Sequence, residues 1–296
     1  MTARFLILLA FAPGALSAQR TFTRADTARL HRTLDSIAAA HHGVVGYAVR
    51  NVDTGEKLSL RGDSTFPTAS LIKMSVLVTL YDLAERDSIR LSDPISVTRI
   101  DMVPGSGMLQ YLHDGIQISV GDAAWLMSTI SDNTATNLLL RKIGIRRTWA
   151  KMESLGLMHT KIHAESFRRA YTSLAMDSST KYGLGVTTPN EMAHLFELLA
   201  LGRAVNAHAD STVLGILANN TNDDMLHRYV ADVPLSHKDG EDDDIRTDCG
   251  LFRLQSRVVV CALTKENKDR SWRLDNEAQL TLANIGNAVV NAWPRK

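Results

Sequence analysis

Ser70 and Lys73 stand three residues apart at the head of a long apolar run, Leu71 to Leu83. On a helix, positions i and i+3 share a face, so the lysine amine can approach the serine hydroxyl. Burial among aliphatic neighbours disfavours the charged ammonium and leaves an amine able to accept a proton. The pair is then an activated nucleophile suited to acyl transfer. Pro67-Thr68-Ala69 supplies a chain break and a capping hydroxyl. Ser70 is therefore expected in the first helical turn, where free N–H groups and the positive end of the helix dipole favour an anionic intermediate. Taken alone the spacing decides little, because a helix cap followed by a surface lysine has the same letters.

Two further polar groups change that balance. Ser131-Asp132-Asn133 falls between two helical patterns and can hold a hydroxyl and an amide at the edge of a cleft. His237-Lys238-Asp239-Gly240 precedes a strand pattern that begins at Asp248 and can face the first two groups from a sheet. Singly, the first is an N-cap cluster and the second a solvated charged turn. In this order and spacing, together with Ser70 and Lys73, they point to a serine hydrolase.

The elements that must position these groups follow from periodicity. Thr23-Arg24-Ala25-Asp26 is a capping box, with Leu30, Leu34, Ile37 and Ala38 following at helical spacing. Residues 43–50 and 56–60 are strand-like around Asp53-Thr54-Gly55 and predict a hairpin. The pattern then turns helical: a buried helix after Ser70, a capping box at Ser119 and Asp122, a helix from Thr134 to Ile143, and one opened by Thr188-Pro189 and closed at Gly202. Strands return at 248–254 and 257–264, and a helix over 276–292 closes the chain. The expected class is α/β in the α+β sense, an antiparallel sheet built from both termini, flanked by helices, with an all-helical lobe inserted. The division reads 19–66 and 221–296 for the sheet lobe and 67–220 for the helical lobe, with the site in the crevice between them.

Met1 to Arg4 is a basic start, Phe5 to Ala12 a short apolar core, and Ala15 to Ala18 a run of small residues. Residues 1–18 therefore read as a secretory signal, and the protein as secreted or periplasmic, with no stable membrane insertion once the signal is removed. A net charge of +1 gives no pull toward nucleic acid or an anionic membrane. The histidines show no metal-ligand spacing and the two cysteines are too few for a structural zinc site, so neither a metal nor a cofactor is implied. Export permits a Cys249–Cys261 disulfide. A three-residue connection centred on Gln255 sets the cysteines opposite one another, a two-residue connection sets them on opposite faces, and the spacing leaves both open.

The combined motifs resemble the serine-reactive penicillin-recognising superfamily, and within it the class A β-lactamases and their lactamase-like relatives, over residues 43–296. Gly105-Ser106-Gly107-Met108-Leu109, Ser131 to Leu139 and Thr187-Thr188-Pro189 also resemble the class A pattern. The resemblance implies a β-lactamase/transpeptidase-like fold and a small-molecule β-lactam, or a related amide or ester, as substrate. It implies Ser70 as the acylated nucleophile, Lys73 as its base, and Ser131 as proton carrier to the leaving nitrogen. Asn133 then holds the substrate amide and Lys238 the carboxylate side. The Ser70 N–H and an N–H on the strand after Gly240 form the oxyanion hole.

Two departures stand out. The family's E-x-x-L-N loop, whose Glu activates the deacylating water, is absent; the nearest carboxylate is Glu165, followed by Ser166-Phe167-Arg168-Arg169. Asp239 stands where the family has Thr or Ser, and an ionised carboxylate cannot donate to a substrate carboxylate. Glu241 to Asp244 add negative charge there, as a solvated loop, with Arg246 as the counter-charge. A class A-like β-lactamase is the leading expectation. Asp239 favours an esterase or D-alanyl peptidase, and the missing Glu favours a penicillin-binding or sensing module that turns over slowly.

Overall fold

The computed structural model describes residues 23–293. The expected secretory signal lies outside the described residues, and no described helix is long and apolar enough to cross a membrane. The main sheet has the order β2-β1-β10-β9-β8, with every neighbouring pair antiparallel. Its strands are β1 (Val44–Asn51), β2 (Lys57–Leu60), β8 (Leu235–Asp242), β9 (Ile245–Arg253) and β10 (Arg257–Lys265). The sheet thus joins the two ends of the chain through the β1–β10 pair, as the strand pattern predicts.

Both faces of this sheet are covered, which explains why β10 reads as an unbroken apolar run rather than an alternation. Val258, Val260 and Ala262 pack with α1 (Arg24–Ala40) and α10 (Glu277–Ala292) through Leu30, Leu34, Ile285 and Val289. Val259, Cys261 and Leu263 face the opposite core with α2 (Lys73–Glu85), α8 (Pro189–Ala200) and α9 (Ala207–Leu217). The helical segment also holds α3 (Val120–Thr129), α4 (Asn133–Ile143), α5 (Ile145–Ser154), α6 (Arg169–Thr172) and α7 (Met176–Tyr182). The capping boxes at Thr23 and Ser119 both form.

The inserted segment is not all helical. It contains a ribbon of β4 (Pro94–Val97) and β5 (Ile116–Ser119) and a small sheet of β3 (Phe66–Pro67), β7 (Gly185–Thr187) and β6 (Lys161–Ile162). Strands of two to four residues carry too little alternation to register as a period.

Residues Lys73 to Tyr81 are all buried, so α2 is the central helix of the molecule. Each fully buried Leu, Val or Met there contributes about 1.5–3 kcal/mol.

Arg253 pairs with Arg257, which makes the β9–β10 connection three residues long and sets Cys249 opposite Cys261. The two are disulfide-bonded. With a sequence separation of 12, closing the loop restricts the unfolded chain by roughly 3 kcal/mol. A Cys249→Ala/Cys261→Ala chain should melt roughly 6–12 °C lower in a thermal scan.

Candidate active site

Ser70, the expected nucleophile, sits on a tight turn rather than in a regular helix. Residues Ala69–Ile72 form a 3-10 turn that runs into α2. The expected cap does not form: the Thr68 hydroxyl donates to Ala69 O and caps no N–H. Ala69 instead has φ 44°, a left-handed conformation that costs a residue with a Cβ roughly 1–2 kcal/mol. The chain bends sharply immediately before Ser70. Gly240 of β8 packs against this bend, and a Cβ there would lie 2.4 Å from Thr68 O and 2.7 Å from Leu71 N. Only a residue without a side chain lets the sheet edge approach the Ser70 turn this closely.

Lys73 is 1% exposed, and its Nζ donates to Ser131 O at 2.6 Å, Asn133 Oδ1 at 2.8 Å and Ser131 Oγ at 3.2 Å. Burial, reinforced by the Lys238 ammonium, pulls the Lys73 amine well below the ordinary lysine value, against the opposing pull of Asp132 and Asp239. Ser70 and Lys73 do not hydrogen-bond to each other through their side chains among the described residues, because three oxygens already hold the amine. Lys73 and Ser131 do meet, through both the Ser131 carbonyl and its hydroxyl.

The turn carrying Ser131 is set by Asp132. Its Oδ1 caps α4 at Ala135 N, and its Oδ2 accepts from Met108 N and Leu109 N at 2.7 and 2.9 Å. One carboxylate thus fastens the 105–109 loop to the start of α4. Ser131 is left at φ 57° with its carbonyl turned toward Lys73. Asn133 closes the wall through its N–H to Ser106 O and its amide to Pro104 O.

Ser70, Ser106, Asn133, Glu165, Ser166 and Glu241 line one cavity of about 680 Å³, with Phe167, Asp242 and Trp272 at its edge. Phe167 and Trp272 are both exposed by more than half. Neither carried a sequence signal, being single aromatics amid charged residues.

On the far wall the expected charged turn is part of β8, paired with β9 from Leu235 to Asp242. His237, Lys238 and Asp239 are buried. His237 Nδ1 lies 2.9 Å from Asp248 Oδ1, so that pair is internal. Lys238 Nζ donates to Asp239 Oδ1 at 2.8 Å and to Asp239 O at 3.0 Å. The Asp239 carboxylate also accepts from Asn220 and Asn222. Burial opposes its ionised form, but the Lys238 ammonium and the Asn220 amide outweigh burial and hold it far below the usual carboxylate range. Asp239 is a fixed anion.

Glu241 and Asp242 also belong to β8, not to a solvated loop; only Asp243 and Asp244 form the turn. Arg246 is the counter-charge to that acidic run, through Glu241, but it is not open to a substrate as a binding residue would be. It lies inside β9 with no exposed surface. Its guanidinium faces Glu241 at 3.3 Å, donates to the carbonyls of Asp242, Ile245 and Ser271, and packs 4.7 Å from the Trp272 ring centroid. Those contacts occupy it and brace the rim from behind.

Glu165 lines the cavity, yet its carboxylate engages Arg141 Nε at 3.3 Å and lies 3.9 Å from Arg168 Nε. Arg141 also binds Asp101 at 2.5 Å. Glu165 makes no hydrogen bond to Lys73 or Ser70 among the described residues.

The profile of the beta-lactamase enzyme family matches residues 29–293, nearly the whole described chain. The chain belongs to that family. The beta-lactamase enzyme family comprises hydrolases acting on β-lactams, and a cavity lined by Ser70 and Asn133, with Lys73 bonded to Ser131 and Asn133, is consistent with membership. Beta-lactamase ROB-1 of Haemophilus influenzae is 27% identical over 277 residues, covering 90% of this chain and 85% of that protein. A beta-lactamase from Sphaerobacter thermophilus superposes with a TM-score of 0.78 at 25% identity, over 89% of this chain and 96% of that one. An ancestral class A beta-lactamase gives the same TM-score and identity, over 89% and 100%. The β-lactamase-type fold, with its antiparallel sheet and surrounding helices, is therefore shared.

Proposed function

We propose that this protein is an exported class A-like serine β-lactamase that works through an acyl-enzyme on Ser70. The observation that carries the reading is the buried Lys73 amine, held by Ser131 and Asn133 at the cavity that Ser70 lines. Its lowered proton affinity suits it to act as a base near neutral pH. Ser70 Oγ adds to the lactam carbonyl carbon and its proton passes to Lys73. The carbon–nitrogen bond then breaks, and the ring nitrogen takes that proton through Ser131. The Ser70 and Glu241 backbone N–H groups stabilise the oxyanion, since Gly240 brings β8 against the nucleophile turn. The basic start, short apolar core and small residues within 1–18, which read as a secretory signal, support export.

Intact-protein mass spectrometry over time after adding a penicillin tests this. The mass should rise by one penicillin, the adduct should map to the peptide containing Ser70, and it should decay as hydrolysed penicillin appears. An unchanged mass with intact penicillin, or an adduct elsewhere, overturns the reading. The Glu165–Arg141 ion pair favours a second reading, a penicillin-binding module whose adduct persists for hours.

A further inference from the structure

One face of α4 carries Asn133, Asn137 and Arg141 at successive i+4 positions, and each grips a different part of the site. Asn133 accepts from Lys73, as described. Asn137 clamps the backbone of Ser166 from both sides, with Ser166 N–H to Oδ1 at 2.7 Å and Nδ2 to Ser166 O at 3.0 Å. Arg141 holds the Glu165 carboxylate. One helical turn of four residues rises about 6 Å, so the Ser166 clamp lies about 6 Å along α4 from Asn133 and the anchor of Glu165 about 12 Å. The left-handed Phe167, φ 59°, turns the chain outward immediately after Ser166.

Ser166 is 6% exposed and lines the same cavity as Ser70 and Asn133. Its Oγ is buried and has no hydrogen-bond partner among the described residues. A buried hydroxyl without a protein partner is costly unless water or a ligand completes it. Glu165 is satisfied by arginine, whereas the Ser166 hydroxyl is buried beside the cavity its residue lines and has no partner among the described residues.

We propose that Ser166, not Glu165, holds the water that hydrolyses the Ser70 acyl-enzyme. This rests on the acyl-enzyme reading above. The Ser166 hydroxyl orients the water but is too weak a base to take its proton, which passes to the Lys73 amine. The water oxygen bonds to the ester carbonyl carbon, the bond from that carbon to Ser70 Oγ breaks, and Lys73 returns the proton to Oγ. The product leaves as a carboxylic acid.

Acylation and release are measured separately by quench and intact mass, with a penicillin as the probe. Ser166→Ala removes one oxygen and should slow release about tenfold while leaving acylation unaltered. Ser166→Glu places a carboxylate base at the water and should speed release about 100-fold. Its release should fall as pH drops through the pKa of the new carboxylate, a limb absent from the unaltered chain. Release indifferent to both changes, or slowed by Glu165→Gln and not by Ser166→Ala, overturns the assignment. Absence of both adduct and hydrolysis with the unaltered chain defeats the acyl-enzyme reading itself, and this inference falls with it.

Discussion

Lys73→Ala should slow acylation of Ser70 by about 1,000-fold, within the range removal of a general base produces. At 1.4 kcal/mol per factor of ten, that is about 4 kcal/mol of transition-state stabilisation. The sign of the pH dependence follows from the direction of the shift. Burial lowers the proton affinity of Lys73, and only the neutral amine can take the serine proton. Acylation by the unaltered chain should therefore rise with pH through the lowered pKa and be lost below it, and the variant should lack that rise. Lys73→Arg should rescue nothing, because a guanidinium stays protonated throughout this range. Removing the amine also leaves Ser131 O and Asn133 Oδ1 without their donor, at a cost of about 1–3 kcal/mol each. A thermal scan separates that loss of stability from the loss of rate. Equal acylation rates at every pH would return Lys73 to a purely structural role.

Elements with a strong period were legible. The apolar run after Ser70 is the central buried helix, and the unbroken apolar run from Val258 to Leu263 is the sheet's middle strand, its type set by its short length and β-branched residues. The strand carrying Lys238 was not legible. Its Lys-Asp-Gly-Glu-Asp has poor strand propensity, and it is a strand because β9 pairs with it along its whole length. The same limit applies within the site. Short spacings pair Ser70 with Lys73 and Ser131 with Asn133, and the resemblance to the penicillin-recognising motif set is what places the two pairs together. The partners of Asp239, Arg246 and Glu165 come from Asn222, Trp272 and Arg141. Chain topology supplies those partners, and local spacing carries no trace of them. The α4 ladder lies between these cases: Asn133, Asn137 and Arg141 show their common face in sequence, but only the loop's return reveals what they hold.

Asp239→Thr should raise kcat/KM for an anionic β-lactam 10- to 100-fold relative to a neutral ester of similar size. Like charges ~4 Å apart repel by about 4 kcal/mol at an effective dielectric of ~20, and Lys238 offsets part of this. A net of about 1.4–3 kcal/mol corresponds to the stated range. Two effects enter the prediction: repulsion of a substrate carboxylate, and the hold of Asp239 on the Lys238 ammonium, which it draws onto itself at 2.8 Å. A threonine hydroxyl does neither and can donate a hydrogen bond. Because Asp239 is only 6% exposed, added salt should leave the difference between the two substrates nearly unchanged. Because Lys238 and Asn220 hold it far below the usual carboxylate range, the difference should also be flat from pH 5 to 9 as far as Asp239 is concerned. Asp239→Asn separates the two effects: it removes the charge and frees Lys238, but its amide can still meet Asn220 and Asn222. If it reproduces the gain of threonine, charge is the cause, and if only threonine gains, the donated hydrogen bond is. A ratio unmoved by either substitution would mean that substrate carboxylates bind beyond the reach of β8, and the repulsion argument would fail.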